Sequence, residues 1–151
     1  MEQTTYKIKK NRRIVTKNRH DQINGYLVPI IDIGDEFISP EQFPRQVYLT
    51  VVDPGEIKGP HFHKERYAMY TCIKGNIKIV LKLEDKYEVL FSGEDHDYAT
   101  LWIPAGIPTA VINMDMDNPS FILNTPNPSF LETPFDDHNV EFDPSVLNND
   151  A

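Results

Sequence analysis

Residues 77–84 set Ile77, Ile79, Leu81 and Leu83 at every second position, interleaved with Lys78, Val80, Lys82 and Glu84. A period of two is what a strand needs to present one face to a core, because successive side chains point to opposite sides. Gly75-Asn76 precedes this run and Cys72-Ile73 lies before the glycine, which predicts a hairpin. Further strand candidates fall at 46–52, 87–91, 100–103, 110–113 and 120–124, separated by Pro, Gly, Asp or Asn. No window carries an apolar stripe at helical spacing, and 12 prolines oppose long helices. Many short strands with regular turn signals predict an all-β sandwich or barrel.

The 151 residues fit a single domain, 1–151. The net charge of −8 repels a phosphate backbone and excludes nucleic acid as the expected partner. The charge is uneven. An N-terminal arm, 1–25, holds Lys7, Lys9, Lys10, Arg12, Arg13, Lys17 and Arg19, whereas no Lys or Arg follows Glu132. Residues 144–151 are expected to form a loose acidic tail. The single Cys72 excludes an internal disulfide and, in an apolar run, reads as a small buried hydrophobe. No basic-then-apolar leader opens the chain, and no apolar stretch approaches ~18 residues. The expectation is a cytoplasmic protein without a membrane partner.

The most informative stretch is Gly55-Glu-Ile-Lys58-Gly-Pro-His61-Phe-His63-Lys64. Two histidines two apart on a strand point to one face, and Tyr67 shares their parity. Converging imidazoles are metal ligands or acid–base groups. Glu94-Asp95-His96-Asp97 reads as a solvated polar turn, and Asp136-Asp137-His138 as a surface cluster or a partner for the paired histidines.

The His61-x-His63 pair with Gly75 following resembles the first cupin motif. Ile103-Pro104-Ala105-Gly106-Ile107-Pro108-Thr109 through Asn113 resembles the second. On these motifs the chain is similar to the RmlC-like cupin superfamily, which implies a double-stranded β-helix, or jelly-roll barrel. In metal-binding cupins a glutamate stands in the slot of Ala68 and a histidine in that of Thr109, so two of the usual four ligands are missing. The expectation is therefore no metal and no cofactor. More specifically, Gly55 to His61 resembles a signature of dTDP-4-keto-sugar 3,5-epimerases. His61-Phe-His63-Lys64, with Cys72 and Gly75, resembles that of dTDP-4-keto-6-deoxyglucose 3,4-ketoisomerases.

The resemblance implies a metal-independent isomerase or epimerase of a nucleotide-linked 4-keto-6-deoxy sugar, serving surface-polysaccharide synthesis. It implies His61 or His63 as the base, Asp136 or Asp137 as its partner, and Tyr48, Tyr67 or Tyr70 as the acid. Arg45, Lys58 and Lys64 would hold a diphosphate or polarise a ketone, and Asn113, with Tyr48, would join the substrate-binding set. The lone Trp102, in the strand before Pro104, reads as a core or rim aromatic, with a platform for a nucleotide base as the alternative. Lys58 stands where the epimerase signature has an arginine, and Pro108-Thr109 where the ketoisomerases have Trp-His. Two alternatives stay open: a metal-binding cupin with a depleted ligand set, and a sugar- or nucleotide-binding cupin without chemistry. A homodimer is expected, because small cupins leave sheet edges to cover.

Overall fold

The computed structural model describes residues 5–150. Among these the regular structure is β1 (Lys7–Lys9), β2 (Ile14–Lys17), β3 (Ile23–Leu27), β4 (Tyr48–Val52), β5 (Ile57–Phe62), β6 (Ala68–Lys74), β7 (Asn76–Lys82), β8 (Tyr87–Gly93), β9 (Thr100–Ile103), β10 (Thr109–Asn113), β11 (Ser120–Asn124) and β12 (His138–Asn139), with three short 3-10 turns. Two five-stranded antiparallel sheets run β1-β9-β6-β11-β4 and β12-β5-β10-β7-β8, and β2 pairs with β3 alone. The chain is all-β and folds as the cupin barrel that the patterning and the two motifs predict. Among the described residues no helix is long and apolar enough to cross a membrane.

The core lies between the sheets. Val52, Cys72, Ile77, Ile79, Leu81 and Leu101 are all fully buried there. Cys72 is thus the buried hydrophobe expected of it, and burial lifts its thiol to about 12.

The hairpin expected around Gly75-Asn76 does not form. β6 pairs with β9 and β11, and β7 with β8 and β10, so the chain crosses from one sheet to the other at Gly75. Gly75 has φ 77°, and a Cβ there would stand 2.6 Å from the Ser120 hydroxyl. Only glycine makes that corner without strain. An alternating run after a glycine looks alike in a hairpin and in a sheet-to-sheet corner.

The C-terminal tail also departs from expectation. Phe142 is buried against Val80, Ala110 and Ile112 on the outer face of β7 and β10, with Val146 and Leu147 beside it. Lys78 is therefore only 6% exposed, and its ammonium donates to Asn148 O, Asn148 Oδ1 and Asp150 O. Residues 144–150 are docked rather than loose; Ala151 lies outside the described residues.

Of the N-terminal arm, residues 1–4 lie outside the described residues, and β1 pairs with β9 as an edge strand of the first sheet. The β2–β3 hairpin that follows stands clear of the barrel. It is held by Arg13, whose guanidinium lies 5.2 Å from the Tyr26 ring and 5.1 Å from that of Tyr98, and by a 2.7 Å hydrogen bond between the two tyrosine hydroxyls.

Candidate active site

Between the sheets a cavity of about 490 Å³ opens beside the end of β5. Gly59 sets its geometry. Its φ is 83°, and a Cβ would come within 2.7 Å of the Thr109 carbonyl and 2.9 Å of His61 Nδ1. β5 and β10 can therefore approach closely enough for His61 to pair with Thr109. His61 and His63 both line the cavity, their ring centroids 5.3 Å apart. Ala68 and Thr109 line it too, so both slots that bear ligands in metal-binding cupins face the right space with side chains unsuited to the task.

β5 ends at Phe62, so His63 lies just past the strand on which the sequence placed both histidines. Residues 64–66 turn, and Asp136 holds the turn by accepting from the backbone N–H groups of Lys64, Glu65 and Arg66 at 2.7–3.2 Å. Asp136 is 3% exposed and is consumed by this structural task. Tyr67 consequently reaches the cavity not by strand parity with the histidines but from the far side of the turn, beside β6.

Asp137 is the carboxylate that meets the histidines. His63 Nε2 lies 2.8 Å from Asp137 Oδ1. Arg66 Nη2 lies 3.1 Å from the same oxygen and 3.0 Å from His63 Nε2. A guanidinium has donors only, so the arrangement that satisfies all three groups protonates Nε2, which donates with Arg66 to Asp137. The Arg66–His63 contact is then a close approach without a hydrogen bond, and the lone pair of neutral His63 sits on Nδ1. Burial lowers the pKa of His63, and the Arg66 charge lowers it further, against the hydrogen bond to Asp137. Burial likewise lowers His61. Burial works to raise Asp137, but the His63 hydrogen bond and the Arg66 charge outweigh it and hold the carboxyl below its ordinary value. Both rings are thus neutral bases facing a standing carboxylate.

The opposite sheet supplies hydroxyls. Tyr48 and Tyr70 flank Asn124 on neighbouring strands and line the cavity across from the histidines. Tyr70 is buried, its hydroxyl has no hydrogen-bond partner, and desolvation raises its pKa strongly. Tyr67 Oη is also buried without a partner of good geometry, and burial lifts Tyr67 to about 12, the nearby Asn127 side chain offsetting part of the rise. Burial raises Tyr48 as well.

His61, His63, Tyr48, Tyr67, Tyr70, Asp137 and Lys58 thus meet at one cavity. Four other sequence candidates do not. Arg45 points outward to Glu132 at 2.8 Å, and that hydrogen bond pulls Glu132 down to about 2. Lys64 is exposed outside the cavity wall. Trp102 is 3% exposed and packs with Ile38 and Met69 behind Tyr67, the two rings 5.4 Å apart, so no face is left for a nucleotide base. Asn113 is fully buried; its amide donates to Val52 O, Asp53 O and Asn118 O, and its carbonyl accepts from Ser120. It pins turns rather than substrate. Sequence reasoning missed Arg66, and also Gln46, Thr50 and Asn124 in the wall.

His61, His63 and Asp137 offer three donor atoms within 4.8 Å of one another, which raises the question of a cupin metal. The residues present do not fit one. Arg66, its side chain 5% exposed, sets a permanent positive charge against two of the three donors.

The family model described as "FdtA: WxcM-like, C-terminal" matches residues 10–138. No curated protein sequence matches the chain. Among solved structures, a dTDP sugar isomerase from Desulfovibrio desulfuricans G20 superposes with a TM-score of 0.73 at 16% identity, covering 94% of this chain and 87% of that one. A sugar 3,4-ketoisomerase from Thermoanaerobacterium thermosaccharolyticum, in complex with TDP, gives a TM-score of 0.63 at 21% identity over 85% of each chain. A 3'-monoepimerase from Streptomyces bikiniensis, in complex with dTDP-quinovose, gives 0.72 at 13% identity, covering 95% of this chain and 73% of that one. At these identities the likeness is one of fold.

Proposed function

Because the chain belongs to the WxcM-like, C-terminal (FdtA) family, we propose that it is an isomerase or epimerase of a nucleotide-linked 4-keto-6-deoxy sugar. The observation that carries this reading is the His63–Asp137 pair facing Tyr48 and Tyr70 across one cavity. The structures of similar fold include a 3,4-ketoisomerase and a 3'-monoepimerase, and the same chemistry suits this site.

A proton beside the C4 ketone is acidic. His63 takes it at Nδ1, while Asp137 holds the ring and stabilises the imidazolium that forms. The C–H electron pair moves to the C4 oxygen as an enolate. A proton returned from the tyrosine side to the opposite face of the same carbon is epimerisation; if instead the C3 hydroxyl proton passes to the C4 oxygen and a proton is delivered to C4, the ketone is left at C3, which is isomerisation. Tyr70 is the better placed donor, since its hydroxyl is protonated and unpartnered. Lys58 at the cavity mouth is the cation available to the diphosphate. His61 is the second base, held neutral beside the first.

Such a protein would work in the cytoplasm, where nucleotide sugars are made, and would feed surface-polysaccharide synthesis. We read it as a homodimer: the β2–β3 hairpin leaves Val15 57% and Ile23 72% exposed, an apolar surface suited to a second copy.

Solvent deuterium exchange tests the reaction. The protein, incubated in D2O with a panel of nucleotide-linked 4-keto-6-deoxy sugars, should place deuterium at C3 or C5 of at least one, or at C4 of its isomerised product, seen by NMR. His63→Asn should abolish this. No incorporation into any sugar, with binding retained, would leave a binding protein instead.

A further inference from the structure

Two histidines and one carboxylate on a cavity wall form the donor set that many divalent-metal sites use. Here one nitrogen of each ring and one Asp137 oxygen lie within 4.8 Å of one another. The 2.8 Å between His63 Nε2 and Asp137 Oδ1 suits a shared ion as well as a hydrogen bond, since donors at ~2.1 Å from one metal stand ~3 Å apart. Asp137 is 54% exposed, so an ion has a route in from solvent.

Arg66 changes what this set can hold. It is anchored on its far side, where Nη1 donates to Thr133 O at 3.2 Å and Thr133 Oγ1 at 3.0 Å. Swinging it away would break both bonds and deprive the buried Thr133 acceptors of their charged donor. Nη2 stands 3.0 Å from His63 Nε2 and 3.1 Å from Asp137 Oδ1. An ion bound to both atoms at ~2.1 Å is therefore at most about 4 Å from Nη2, whichever side it takes. A dication that close to a fixed guanidinium in a half-buried site is strongly repelled.

We infer that Arg66 is the built-in cation of this site: it takes the electrostatic place of a metal, and its removal turns His61, His63 and Asp137 into a divalent-cation site. This stands whether or not the cavity isomerises sugars, because it concerns only the charge among three donors.

The test is titration of the full chain with Co(II) alone, followed by visible absorption and calorimetry. Arg66→Met keeps the length of the stem and loses the charge; it should bind one equivalent at least ~100-fold more tightly than wild type. Arg66→Lys keeps the charge and should stay as weak as wild type. Asp137→Asn or His63→Asn in the Arg66→Met background should remove the gained site. Should the methionine variant fail to fold, Arg66→Gln, which can still donate to Thr133, carries the same expectation. A folded charge-free variant with no gain overturns the inference. So does wild-type protein holding one equivalent of Co(II) tightly, a measurement that needs no variant to fold.

Discussion

His63 Nε2 and Asp137 Oδ1 lie 2.8 Å apart although 74 positions separate them in the chain. The contact depends on Asp136, its neighbour, which is sunk into the 64–66 turn and accepts three backbone N–H groups there. One acidic residue fixes the backbone so that the next can orient a base. This division of labour gives the first prediction. Asp137→Asn should leave the fold intact, because the side chain is half exposed, while the amide can present its NH2 to Nε2 and favour the wrong tautomer of His63. Turnover should fall ~10²-fold or more with KM little changed. Steady-state kinetics beside circular dichroism checks both halves; an unchanged turnover would remove Asp137 from the mechanism.

The second prediction concerns pH. Burial lowers both histidines below 6.5, with Arg66 adding to the effect. The base is active when unprotonated, so activity should be flat through neutrality and fall on the acid side, with its midpoint below 6.5. Stability follows the same sign. The unfolded chain binds more protons than the native state once pH drops toward 6.5, so stability is full above that value and declines as pH falls through the lowered native pKa values. Activity and melting temperature measured across the same pH series should decline in that one direction.

How much of this was legible in the sequence differs residue by residue. His61 and His63 were legible as a pair because i, i+2 spacing on a strand is a local rule. The empty ligand slots at Ala68 and Thr109 were legible because two motifs fix their positions. Arg66 was not legible. Its partners are Thr133 and Asp137, far along the chain, and nothing local marks a charged residue in a turn as buried. Asn113, and Trp102 as a platform for a nucleotide base, fail for the opposite reason: residue type suggests ligand contacts, but burial spends them on turns and on the core packing that was the other reading of Trp102. Gly75 marked a bend correctly, yet which strand lies beyond a bend depends on partners chosen elsewhere in the barrel.

The third prediction separates the tyrosines. The Tyr70 hydroxyl is buried without a partner, which costs stability. Tyr70→Phe should therefore be neutral or stabilising, by up to about 1 kcal/mol, while deuterium washes into substrate and product forms slowly or not at all. Tyr48→Phe, which alters a partly exposed ring, should change stability little and turnover less. Thermal melts and exchange rates of the two variants decide; equal losses of activity would mean that neither is the sole donor.

The fourth prediction addresses assembly. Ile23, Val15 and Leu27 on the β2–β3 hairpin are exposed, and a hairpin with so little cover in one subunit gains most from a neighbour. Light scattering should give twice the 17.4 kDa subunit mass. Ile23→Glu should shift the protein toward the single-subunit mass; a wild-type mass of one subunit at working concentration would contradict the dimer.

The last prediction tests the docked tail. Phe142 is 7% exposed, and its ring packs edge-on to Tyr87 at 5.2 Å and against Val80 and Ile112. Replacing it with alanine removes that apolar contact and leaves a cavity over β7, which by the usual cost of Phe→Ala in a core is about 3 kcal/mol. The loss has a second part. Lys78 lies beneath the same segment, its ammonium satisfied by Asn148 and Asp150, and a loosened tail exposes that charge to water rather than stranding it. Hydration of Lys78 offsets part of the penalty, so the measured cost should come in at the low end of the range for buried phenylalanines. Urea unfolding should show a lower midpoint at unchanged slope, with the His63–Asp137 site on the far side of the sheet retaining its turnover. A cost near zero would mean that the tail is not held as the structure places it.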